Sequence, residues 1–65
     1  MPKYPNIKVK LVGEDGNAFF ILGRVISALR KGGVSETERK EFQTQATSGN
    51  YDNLLQVCMQ WVDCE

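Results

Sequence analysis

Between Val12 and Phe20 the chain changes its hydrophobic period. Before that point, Ile7-Lys8-Val9-Lys10-Leu11-Val12 alternates apolar and basic side chains. Period two puts Ile7, Val9 and Leu11 on one face of a half-exposed strand, with Lys8 and Lys10 on the other. After it, apolar residues recur at helical spacing. Gly13 to Gly16 turns the chain between the two, and Asp15 or Asn17 can accept from the first free amides of the helix. A lone strand leaves its own N–H and C=O groups unpaired, so it needs a partner. The sequence offers two: the segment Trp61-Val62-Asp63-Cys64, or the same strand of a second subunit. The expected fold class is therefore α+β, an N-terminal strand followed by three helices, with a short C-terminal strand able to pair with the first.

The first helix is expected from Asn17 to Lys31. Ala18, Leu22, Val25, Ile26 and Leu29 fall on one face, flanked by Phe19 and Ile21. Arg24, Ser27 and Lys31 fall opposite, and Phe20 falls with them. Gly32-Gly33 stops the helix, because glycine takes a left-handed cap without a Cβ clash. Ser35-Glu36-Thr37-Glu38 reads as a capping box, Ser35 bonding the amide of residue 38 while Glu38 reaches back. The second helix, Glu36 to Thr47, is polar nearly all round, with Phe42 and Ala46 as its apolar anchors. Such a helix depends on tertiary contact and should be the least stable element. Asn50 caps a third helix from Tyr51 to Gln60 or beyond, on which Tyr51, Leu54, Leu55, Cys58 and Val62 form the apolar stripe and Trp61 and Met59 border it. Helices one and three are expected to pack through Leu22, Val25, Ile26 and Leu29 against Leu54, Leu55 and Cys58.

Sixty-five residues make one small domain, 1–65, with residues 1–5 expected as a flexible tail punctuated by proline. A chain this short removes only about 60% of its unfolded surface from water. A hydrophobic content of 42% permits the dense core that must offset this. Eight basic residues balance eight acidic ones, so no strong overall field recruits nucleic acid or membrane. The two cysteines, Cys58 and Cys64, would lie about 9 Å apart along a single helix, beyond disulfide reach. Reduced thiols in a cytoplasmic protein follow. No apolar run is long enough for a transmembrane helix.

Chemistry-bearing motifs are sparse. Gly13-x-x-Gly16 before a helix invites phosphate, yet no Lys-Ser/Thr pair follows, and Glu14 and Asp15 would repel it. Calcium would need ligands where Phe19 and Phe20 stand. There is no histidine to serve as a general base. Cys58 lies on the buried stripe and Cys64 between two acids, which disfavours either thiolate. No enzyme activity and no cofactor or metal is expected. The segment from Leu29 to Arg39 resembles a helix-turn-helix, with Arg30, Lys31, Arg39 and Lys40 as candidate nucleic-acid contacts. The acidic first turn, Glu36 and Glu38, weighs against that. Phe20, Arg24 and Val57 are the candidate interface residues, because Phe20 faces the polar side and Val57 stands off the third helix's stripe.

Four runs, Gly13-Glu14-Asp15-Gly16-Asn17-Ala18-Phe19, Gly33-Val34-Ser35, Ser48-Gly49-Asn50-Tyr51-Asp52-Asn53-Leu54-Leu55 and Cys58-Met59-Gln60-Trp61, follow a G-x-D-G-N-A-F, G-V-S, S-G-x-Y-D-x-L-L, C-M-x-W pattern. In this the chain resembles a family of short bacterial and phage proteins of unknown function. The resemblance spans nearly all of the chain after residue 6 and implies a shared fold; it transfers no activity and no site residues. The expected function is a non-catalytic protein–protein interaction or regulatory accessory module, by self-association or with another protein. The alternative is a weak nucleic-acid binder.

Overall fold

The computed structural model describes residues 1–11 and 16–65. Five elements follow in order: β1 (Tyr4–Val9), α1 (Ala18–Lys31), α2 (Glu36–Ala46), α3 (Tyr51–Trp61) and β2 (Val62–Cys64). β1 and β2 form a two-stranded parallel sheet, so the three helices together make the crossover that a parallel pair requires. The fold is the α+β arrangement expected, and β2 is the strand partner within the chain.

β1 begins earlier than its alternation implies. Tyr4 pairs with Val62, but the next partners are Lys8 with Asp63 and Val9 with Cys64. Residues 5–7 therefore bulge out of register, and Pro5, which has no N–H to give a ladder, sits in that bulge. The odd number of extra residues inverts the side-chain alternation. Tyr4 thus packs against the core, as do Ile7, Val9 and Leu11, while Lys8 and Lys10 face out. The residues expected as a flexible tail are tied down: the Lys3 amide donates to Gln60 O at 2.8 Å, and Tyr4 is already in the strand. Past β2, Glu65 N donates to Val9 O (2.8 Å) and Leu11 N to Glu65 O (2.7 Å), which prolongs the pairing.

Helix boundaries follow local chemistry. Asn17 Oδ1 accepts from the Phe19 and Phe20 amides, Ser35 Oγ from Glu38 N, and Asn50 Oδ1 from Asn53 N. α1 ends in a Schellman motif, with Val34 N to Leu29 O and Gly33 N to Arg30 O. Gly33 holds the left-handed φ of 83° that the motif requires. Gly32 lies where α1 closes on β1: a Cβ there would stand 2.6 Å from Ile7 Cδ1, so the Ile7 side chain would have to shift to admit one. The capping box forms only in half. Ser35 caps, but Glu38 turns instead to Tyr4 and Lys3, because a cation and a phenol hydroxyl offer it charge-assisted bonds.

The core takes Ile21, Leu22, Val25 and Leu29 from α1 and Leu54, Val57, Cys58 and Trp61 from α3. The buried stripe of α3 is thus rotated from the one expected. Val57 and Trp61 lie inside, Tyr51 is 44% exposed, and Leu55 is only half-buried, as is Ile26 on α1. The cause is α2, which supplies the fully buried Phe42 at the centre. Phe42 meets the Trp61 ring edge-on at 5.6 Å, and Tyr4 flanks the same indole at 6.0 Å. Trp61 satisfies its one donor by an Nε1–H bond of 3.0 Å to Gln45 Oε1.

A cationic groove between the first strand and the first helix

The outward residues of β1 and the outward face of α1 meet along one side of the molecule. Lys8 comes from the strand and Lys10 from the residue just past its end; Phe20, Arg24, Ser27 and Lys31 come from successive turns of the helix. Together with Phe19 and Gly23 they line a groove of about 650 Å³ whose floor includes the buried Val9. Four of the chain's eight basic residues lie here, and no described acidic residue lines it. The Arg24 guanidinium is fixed: its Nε donates to Lys10 O at 2.9 Å, and it lies 5.7 Å from the Phe20 ring centre. Among the described residues, Lys8, Lys10 and Lys31 make no ion pair with a carboxylate.

Two aromatic residues stand at the groove with much of their surface in water, Phe19 at 84% and Phe20 at 39% exposed. Phe19 also borders a smaller apolar hollow of about 320 Å³, formed with Leu22, Ala46, Tyr51 and Leu54. Gly23 lies between them in mid-helix, and a Cβ built on it would meet nothing within 4 Å.

Of the candidate interface residues, Phe20 and Arg24 come together here. Val57 does not: it is 7% exposed and packs in the core, so its candidacy is withdrawn. Its place off the expected stripe reflects the rotation of α3 about Phe42. The four candidate nucleic-acid contacts disperse. Lys31 joins the groove, Arg30 does not line it, and Lys40 faces Glu36 at 3.5 Å one turn away. Arg39 is half-buried, with its Nε enclosed and lacking a hydrogen-bond partner among the described residues. Sequence reasoning did not single out Lys8, Lys10, Phe19 or Gly23 as site residues. Each half of the groove was legible as a polar face, but not that the two faces adjoin. The Glu14 and Asp15 of the glycine turn lie outside the described residues.

The thiols offer little chemistry. Burial pushes Cys58 up to about 12, with the neighbouring Cys64 adding to it. Cys64 is raised as well, first by burial and then by Asp63. Among the described residues no three of His, Cys, Asp and Glu group as metal ligands, and no helix is long and apolar enough to cross a membrane. No protein family, curated protein or solved structure matches this chain.

Proposed function

We propose that this chain is a non-catalytic interaction module of the cytoplasm that holds a protein partner in the groove between β1 and α1. The observation that carries this reading is the pairing of exposed aromatic rings, Phe19 and Phe20, with four cations around a shallow trough. Large apolar side chains next to fixed polar groups are what protein interfaces draw on for their central contacts. The lack of histidine and the raised thiols support a role without catalysis.

The test is site-directed photo-crosslinking in extract from the native host. A photoreactive phenylalanine analogue at Phe20 should yield discrete adducts that unlabelled protein competes away, and the same analogue at Thr44, on exposed α2 surface, should yield none. Equal labelling from both positions overturns the proposal. A second reading, nucleic-acid binding, is favoured by the four clustered cations alone. It predicts an affinity that collapses between low and moderate salt.

A further inference from the structure

Gly23 is an unusual choice for its position. Glycine in a helix interior is less favourable than alanine, because it gives up more backbone freedom on folding. Neither a positive φ nor a close neighbour requires it, because a Cβ there would meet open space. What remains is the space itself: with no side chain at Gly23, the backbone of α1 is open to whatever enters the groove.

The chemistry around that opening is asymmetric. Among the described residues that line the groove, Lys8, Lys10, Arg24 and Lys31 are the charged ones, and all four are cations. On the other side of Phe19 the hollow is lined by carbon from Ala18, Leu22, Ala46 and Leu54. We propose, resting on the interaction-module reading above, that the occupant is an acidic peptide segment of a partner protein. Its carboxylates face the groove's three lysines, Lys8, Lys10 and Lys31, and a large apolar side chain seats against Phe19 in the hollow. Charge complementarity selects the segment and steers its approach, and the apolar anchor supplies residence. A nucleic-acid strand fits less well. It carries a phosphate at every step and no branched apolar group for the hollow, and one approach to the Phe20 ring is already taken by Arg24.

The experiment is fluorescence anisotropy with four labelled probes of equal length. They are an acidic peptide with interspersed leucines and one tryptophan, the same peptide with lysine for each acid, poly-glutamate, and oligo-thymidine. The acidic amphipathic peptide should bind tightest. Gly23→Leu, which fills the groove with a good helix former, should weaken it about tenfold or more, as should Phe19→Ser, while Gln43→Ala on α2 leaves it unchanged. A thermal melt of Gly23→Leu no lower than that of the parent shows that the loss is not unfolding. Equal binding of poly-glutamate, tighter binding of oligo-thymidine, or indifference to Gly23→Leu overturns the proposal. So does a concentration-dependent dimer abolished by Phe19→Ser, which would make a second copy of this chain the occupant. If competed adducts form at position 20 but none of the peptides displaces them, the acidic-segment assignment fails while the interaction module stands.

Discussion

At Glu38 one carboxylate accepts from two groups at the entry to β1. Lys3 Nζ lies 2.7 Å from Oε1, and the Tyr4 hydroxyl donates to Oε2. Lys3 also stands over the Trp61 ring, 4.4 Å from its centre. The hydrogen bonds from Lys3 and then Tyr4 lower the Glu38 carboxyl below its ordinary value of 4.5, and the same carboxylate raises both Lys3 and Tyr4. A carboxyl depressed in the folded state contributes stability above its ordinary value and loses it as the pH falls through the folded one. Glu38→Gln should therefore flatten the loss of stability below pH 4.5, measured as thermal midpoint against pH. An unchanged acid profile would show that the clasp adds nothing. The opposite sign holds for Lys3, whose contribution is present below 10.5 and lost as the pH rises through its raised folded value. Glu38 is also where local reading reached its limit. The spacing Ser35-x-x-Glu38 fits a capping box, but a partner 34 residues away in sequence takes the side chain.

Among the elements, α2 is the one whose importance its sequence hides. Only Phe42 and Ala46 are buried on it, as expected, yet Phe42 sits at the centre of the core and sets the rotation of α3. A polar helix pinned by one aromatic ring displaces Leu55 to the margin and brings Val57 and Trp61 inward. Truncation experiments separate the two arrangements. Leu29→Ala, at a fully buried site, should cost roughly 2–5 kcal/mol in denaturant unfolding. Leu55→Ala, at a half-buried one, should cost clearly less. Equal losses at the two sites would restore the stripe read from periodicity. Periodicity located α1 and α3 and put Leu22, Val25 and Leu29 on the inward face of α1, and the capping box placed α2, because those are local properties of spacing; Ala18, expected on that inward face, is exposed at the start of the helix. It could not assign the inner edge of α3, since that edge depends on which neighbours compete for it.

For the whole molecule, closure depends on four residues at the C-terminal end of the sequence. Val62 is fully buried and pairs with Tyr4, Asp63 and Cys64 pair with Lys8 and Val9, and Glu65 extends the ladder to Leu11. A chain ending at Trp61 would leave β1 without its strand partner and open the core beside Val9. In a domain of marginal stability this should abolish cooperative thermal unfolding; a sigmoidal melt from the shortened chain would contradict it. The same closure makes the groove. β1 is held in place by β2 on one edge and by α1 at Gly32, which fixes Lys8 and Lys10 beside Phe20 and Arg24.

By itself the sequence determined what is local: the strand's alternation, three helices with their asparagine, serine and glycine caps, and a polar face on α1 that includes Phe20. Such features arise from bonds and clashes within a few residues, so nearby side chains suffice to specify them. Only the tertiary structure decided the parallel direction of the sheet, the bulge at Pro5, the burial of Val57, the diversion of Glu38 and the meeting of two cationic faces. Each of those is a competition between groups distant along the chain, and its outcome depends on how three helices share one indole and one phenyl ring at the core.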